Sequence, residues 1–234
     1  AMLGLSVPAL LFFVRWEMGR KEPVLDMKLF SGSKVFLLSN TAALVSYAAT
    51  FAVGFLLSFY LQHIRGLNAQ ETGIILVAQP AVQAVFSPFA GKASDRVEPR
   101  IVASSGMALT AAGLFLLAQI SSVTPISFIV VSLAILGLGF ALFSSPNTNA
   151  IMSSVSSAFY GIASSMVATM RLLGQMFSMG TAMIIFSCVT GGQAPDGTFL
   201  SGLLSGIRLA LQVFAVLCCA GIFASLARGN LRRR

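Results

Sequence analysis

Acidic side chains are scarce in this sequence: seven Asp and Glu stand against fifteen Lys and Arg in 234 residues, and charge of either sign makes up only 9%. A soluble domain carries roughly a quarter charged residues, so a water-facing globule is excluded. The three cysteines, Cys188, Cys218 and Cys219, show neither CxxC nor Cys/His spacing, which argues against a metal centre or a disulfide framework. They read as small buried hydrophobes. No Ser/His/Asp set, HExxH or P-loop occurs, so neither catalysis nor a cofactor or metal is expected. The net charge of +8 would suggest nucleic acid in a soluble protein. Here the basic residues flank apolar runs and read as orientation signals, with no nucleic-acid partner expected.

What fills the chain is apolar: 56% of residues are hydrophobic and the mean hydropathy is +0.88. Apolar stretches at about 35–61, 70–91, 101–120, 126–152, 159–189 and 205–227 are each long enough to cross a hydrocarbon core of roughly 30 Å. The expected fold class is therefore all-α integral membrane, a six-helix transmembrane bundle over 35–227 in a lipid bilayer. The opening run, 1–16, is too short to cross alone and reads as the end of a truncated transmembrane helix. Residues 17–34 form a connector, either amphipathic in the interface or simply solvated, with Pro23 breaking any helix through it. A basic tail, 228–234, closes the chain.

Lys and Arg alternate by loop. Arg15, Arg20, Lys21, Lys28 and Lys34 precede the first full span, Lys92, Arg96 and Arg100 lie between the second and third, and Arg228, Arg232, Arg233 and Arg234 follow the last. Twelve of fifteen basic residues thus share one side, which the positive-inside rule assigns to the cytoplasm of a multi-pass cell-membrane protein, connector and tail included. Within the spans, small residues four apart (Gly106 and Thr110, Ala108 and Ala112, Gly174 and Ser178) offer faces for close helix packing.

The most specific string is Gly91-Lys92-Ala93-Ser94-Asp95-Arg96-Val97-Glu98-Pro99-Arg100. In it Gly91 would let the chain turn, Asp95 would accept from backbone N–H groups of a neighbouring helix start, and Arg96 and Arg100 would pair with carboxylates. A charged turn obeying the positive-inside rule is the plainer reading. The string resembles the G-x-L-[AS]-D-R-x-[GP]-[RK] signature of the major facilitator superfamily, with Ala93 for the usual Leu and an extra Glu98.

Three further strings are similar to one branch, the fourteen-span drug:proton antiporters. They are Lys21-Glu22-Pro23-Val24-Leu25-Asp26-Met27-Lys28-Leu29-Phe30, the stretch from Gly137 to Asn147, and Gly161 to Ser165 followed by Thr169 to Gln175. The resemblance implies the C-terminal six-helix half of a proton-coupled exporter of amphipathic compounds working by alternating access. Its implied partners are a small-molecule solute, protons and a missing N-terminal half. On this reading Gly91, Asp95, Arg96 and Arg100 form a conformational-switch loop. A sugar or metabolite facilitator, or a non-transporting membrane subunit or remnant, remains the alternative.

Arg171 is the one basic residue deep in a span, roughly 18 Å along its helix from Phe159. An ionisable residue there reads as lining a cavity or gate, or as a structural or snorkelling Arg. Gln175 shares its face. Asn40 and Tyr47 on the first span, Gln79 and Gln83 around Pro80, and Asn147 after Pro146 are either cavity-lining or interhelical hydrogen-bonding residues. All seven acidic residues lie in loops or at helix ends, so proton coupling is expected to reside mainly in the other half.

Overall fold

The computed structural model describes residues 33–190 and 197–229, and these are helical almost throughout. The first helix, α1 (Lys34–Thr50), starts where Ser33 accepts a hydrogen bond from the Phe36 N–H at 3.2 Å, satisfying one donor that a helix start leaves open. It runs on through α2 (Val53–Phe59) into a π-helical turn, Tyr60–Ile64. There the Tyr60 hydroxyl donates to the Ser121 carbonyl at 2.6 Å, and the Arg65 Nη1 donates to the Ser122 carbonyl at 2.7 Å. The turn therefore aims both side chains at the far loop of the third span.

A reciprocal capping box opens α3 (Ala69–Leu76): the Glu71 N–H donates to Asn68 Oδ1 at 2.9 Å and the Asn68 N–H donates to Glu71 Oε2 at 3.0 Å. After Val77 the same span continues as α4 (Ala78–Arg96). The irregularity follows from Pro80, which has no N–H to offer the Leu76 carbonyl. The remaining helices are α5 (Pro99–Leu117), α6 (Ile126–Ser153), α7 (Tyr160–Thr190) and α8 (Gly197–Ala227), with a 3-10 turn at Ser157–Phe159 ahead of α7.

Six stretches are long and apolar enough to cross a membrane: Lys34–Ile64, Ala69–Arg96, Pro99–Leu117, Ile126–Ser153, Ser157–Val189 and Gly202–Ala227. They coincide with the six expected runs to within a few residues. The expected partial helix at 1–16, residues 17–32 of the connector, the loop around Asp196, and 230–234 of the tail lie outside the described residues.

Around the bundle, α4 packs on α6, α6 on α5, α5 on α8, α8 on α1 and α1 on α7, and an α1–α6 contact closes the centre. The core lies among α1, α5, α6 and α8, with Leu56, Met107, Leu114, Leu136, Phe143 and Phe214 fully enclosed. Small residues set the closest approaches. A methyl on Gly106 would stand 2.6 Å from the Gly139 carbonyl oxygen, and one on Gly174 would stand 2.6 Å from the Leu44 oxygen. Ser178, one turn beyond Gly174, accepts from the Ala52 N–H at 2.9 Å where α1 gives way to α2. Ala108 and Ala112, by contrast, are exposed.

The second and fifth spans stand at the two edges. Only 6% and 17% of their most apolar windows are buried, against 56% for the first and third. They leave Val85, Phe89, Met176, Phe177 and Ile184 uncovered within this chain.

Two expectations need correcting. The segment Gly91–Arg100 is not a loop, because α4 continues to Arg96 and only Val97 and Glu98 leave the helix. The cause is Pro99: the residue before a proline is pushed out of the helical region, and Pro99 then occupies the first turn of α5, where its missing N–H costs nothing. Gly91 therefore makes no turn. It is helical, and a methyl there would come within 3.2 Å of Ser145 Oγ. Of the cysteines, only Cys218 is buried, while Cys188 and Cys219 are exposed.

Candidate functional site

The end of the bundle that carries Lys34, Lys92, Arg96, Arg100 and Arg228, called here the basic end, holds most of the polar side-chain geometry. Its centre is Arg228, one residue past α8 and only 2% exposed. Gly229 follows with φ +86°, a left-handed conformation that glycine adopts freely and that ends a helix. The Arg228 Nη1 donates to Asn147 Oδ1 at 2.8 Å and to Ser39 Oγ at 3.2 Å, and Asn147 Nδ2 donates to the Ser39 carbonyl at 3.1 Å. One guanidinium thus ties the ends of the first, fourth and sixth spans. Burial pulls its pKa down to about 10, with Glu98 pushing it up and Arg100 pushing it down. It remains charged at neutral pH.

Beside this cluster a cavity of about 480 Å³ is lined by Ser94, Asp95, Pro99, Asn149, Met152, Ser153 and Tyr160. The end of α4, the start of α5, the end of α6 and the start of α7 meet there. Asn149 Nδ2 reaches Ser94 Oγ at 3.3 Å across the α4–α6 contact. Asp95 is exposed on this cavity, opposite Tyr160 at the start of α7. Arg96 is exposed and Arg100 half-buried.

A second cavity, of about 350 Å³, lies deeper between α1, α6 and α7. Tyr47, Ser144, Thr148, Met152, Ser164, Val167, Ala168 and Arg171 line it. Met152 belongs to both walls, so the two spaces adjoin at that side chain, one at the basic end and one reaching Arg171. The Tyr47 ring stands edge-on to Phe140 at 5.4 Å.

The structure sorts the polar residues singled out in the sequence. Tyr47 and Arg171, 124 positions apart, share the deeper cavity. Gln175, Gln79 and Gln83 are half-buried and border neither cavity. Asn40 is 1% exposed and donates to the Phe36 carbonyl at 2.9 Å, and Asn147 is enclosed in the Arg228 cluster. Arg208 donates through Nε to the Ala118 carbonyl at 3.3 Å, tying the sixth span to the end of the third. His63 is exposed and stacks on Phe59.

Sequence reading missed Arg228, assigned to the tail, together with Ser144, Thr148, Ser164 and Tyr160. Arg228 had one available signal, a glycine immediately after the last basic residue of an apolar run. The serines and threonine had none, since hydroxyls recur throughout these spans.

Comparison with known proteins gives this geometry a lineage. The sequence pattern of the Major Facilitator Superfamily matches residues 40–234. The uncharacterized transporter YebQ of Escherichia coli (strain K12) is 32% identical over 95% of this chain and 47% of its own length. The riboflavin transporter RibZ of Clostridioides difficile (strain 630) is 30% identical over 77% of this chain and 40% of its own. The lincomycin resistance protein LmrB of Listeria monocytogenes is 26% identical over 93% of this chain and 47% of its own. The chain spans about half the length of the curated relatives it matches. Six apolar spans in this order and a match over most of the sequence establish that the chain belongs to the major facilitator superfamily.

Proposed function

We propose that this chain acts as the C-terminal six-helix half of a secondary active transporter that exports drugs or other amphipathic compounds in exchange for protons. The basic end would face the cytoplasm of a cell membrane. The observation that carries the reading is the pair of cavities adjoining at Met152, one at the basic end and one reaching Arg171. Such a pair suits a solute site reached alternately from either side of the membrane between two helical halves. The sparse burial of the second and fifth spans supports a further half packed against them. The chain's span of about half its relatives supports the same pairing. Export of drugs draws on the names of two relatives, the lincomycin resistance protein and the multidrug resistance protein Stp of Mycobacterium tuberculosis, 27% identical over 74% of this chain.

Asp95, Arg96 and Arg100 would bias the equilibrium between inward-open and outward-open states, with Asp95 acting on the α7 start across the larger cavity. Among the described residues every acidic side chain sits at a helix end or between helices: Glu71 caps α3, and Asp95 and Glu98 sit at the basic end. The proton carrier would then reside in the other half.

The test is efflux of a fluorescent amphipathic dye from cells expressing the full-length transporter, with and without an uncoupler. Uncoupler-sensitive efflux is the expected result; efflux indifferent to the uncoupler would point to a facilitator, and none to a non-transporting subunit. Asp95→Asn should depress efflux with little loss of membrane insertion, and unchanged efflux would remove the switch role. A second reading, a metabolite facilitator, is favoured by the riboflavin transporter among the relatives.

A further inference from the structure

The deeper cavity is rich in hydrogen-bond donors and holds no carboxylate among its lining residues. The Arg171 guanidinium and the hydroxyls of Tyr47, Ser144 and Ser164 face it, and none of the four bonds to another described residue. The Thr148 hydroxyl is different, being committed to the Ser144 carbonyl at 2.9 Å.

A guanidinium at membrane depth is costly until an acceptor meets it. Its planar fork of N–H groups matches a carboxylate, sulfonate or phosphate, which can take two parallel charge-assisted hydrogen bonds. Three free hydroxyls beside it can donate to the remaining oxygen lone pairs. Among the described residues a cation finds no counter-charge here. Glu71 is engaged with Asn68 at the opposite end of the bundle, and Asp95 lines the other cavity. Tyr47, its ring held edge-on by Phe140 behind it, is the aromatic residue of the lining, and about 350 Å³ falls within the usual range of small-molecule sites.

We propose that this cavity binds the acidic group of an aromatic solute, with Arg171 as the partner of the anion and Tyr47, Ser144 and Ser164 as auxiliary donors. The proposal rests on the reading of the chain as half of a solute transporter, and it narrows the solute to one with an anionic end.

The experiment uses the full-length transporter in phosphatidylcholine nanodiscs, where no anionic lipid competes. Three forms of one dye are titrated by fluorescence anisotropy: 7-diethylaminocoumarin-3-carboxylate, its neutral ethyl ester, and a trimethylammonium-bearing amide. The carboxylate should bind about tenfold or more tightly than the ester, the scale of a hydrogen bond to a charged group. Arg171→Gln should erase that preference while leaving the ester and the cation unmoved, and Arg171→Lys should keep part of it. No preference for the carboxylate in the wild-type protein, including no binding at all, would overturn the proposal. Equal weakening of all three forms by Arg171→Gln would overturn it too, because a structural Arg, or one paired with a carboxylate of the other half, behaves that way. Binding is read without transport. A protein that prefers the carboxylate yet moves no dye refutes the transporter reading alone, and one that pumps dyes without the preference refutes this inference alone.

Discussion

Replacing Gly139 by Ala tests whether the α5–α6 crossing sets the stability of the bundle. A Cβ at Gly139 would lie 2.6 Å from the Thr110 nitrogen, 2.6 Å from Thr110 Oγ1 and 2.8 Å from the Gly106 oxygen. Ordinary carbon contacts need about 3.5–4.0 Å, so the helices must part by roughly 1 Å. Two of the three atoms are backbone, and Thr110 Oγ1 is held to the Gly106 carbonyl at 3.0 Å, so no rotamer change relieves the clash.

A gap of that size forfeits a quarter to a half of each atom-pair attraction of about 0.1–0.2 kcal/mol. Over some forty pairs along the crossing the loss is about 1–4 kcal/mol, comparable to overpacking a soluble core. The better helix propensity of Ala returns about 1 kcal/mol, leaving a net loss of about 0–3 kcal/mol against the wild type, and about 1–4 kcal/mol against a Gly→Ala control that gains the same propensity. For a domain of this size that lowers the melting temperature by up to about 12 °C against the wild type and by about 2–16 °C against such a control. The assay heats detergent-purified protein and follows the monodisperse size-exclusion peak. Gly180→Ala is the control, since nothing lies within 4 Å of a methyl there, and it should melt at or slightly above the wild-type temperature. If Gly139→Ala melts with that control, the crossing is not the tight contact described.

Other outcomes follow from single contacts and can be read in the same melting assay. Ser178→Ala removes the acceptor of the buried Ala52 N–H and should cost about 1–3 kcal/mol, with Ser178→Thr retaining more of the stability than Ala. Asn68→Ala breaks the capping box of α3 and should cost about 0.5–2 kcal/mol. Hydrogen exchange should quicken at Gln70 and Glu71 in that variant and stay unchanged in α5.

The spans were legible in the sequence because a membrane demands uninterrupted apolar length, and Pro99 and Asn68 mark helix starts by ordinary backbone chemistry. The faces were not. In water an amphipathic helix declares its buried side by polarity, but in lipid the packed side and the outer side are both apolar. Spacing alone therefore ranked Gly106 with Thr110 and Ala108 with Ala112 equally, although only the first pair lies in a helix crossing. The same ambiguity left Asn147 and Tyr47 equivalent on paper. The structure encloses one in a hydrogen-bond cluster and sets the other on a cavity. Arg228 was read as tail because a charge after an apolar run looks solvated, whereas the structure buries it against Asn147 and Ser39.

The cross-links are unevenly distributed over the bundle. Arg228 binds the first, fourth and sixth spans at one end, while Arg208 and Tyr60 secure the third at the other. About one turn inside the basic end, Ser104 bonds Ser225 at 2.9 Å between the third and sixth. Four spans are thus stapled to one another near their ends, whereas the second leans on the fourth through Asn149 and the fifth on the first through Ser178. Mechanically, this makes a stiff block with two compliant rails. Movement of an edge span breaks fewer of these bonds than movement within the block, and the deeper cavity has one wall on each kind of part: Tyr47 and Ser144 on the block, Arg171 on a rail. A shift of α7 along its own axis would change the distance between the guanidinium and the hydroxyls of Tyr47 and Ser144, but it must break the Ser178–Ala52 bond and carry Gly174 off Leu44, so the grip on a bound group is tied to those two contacts.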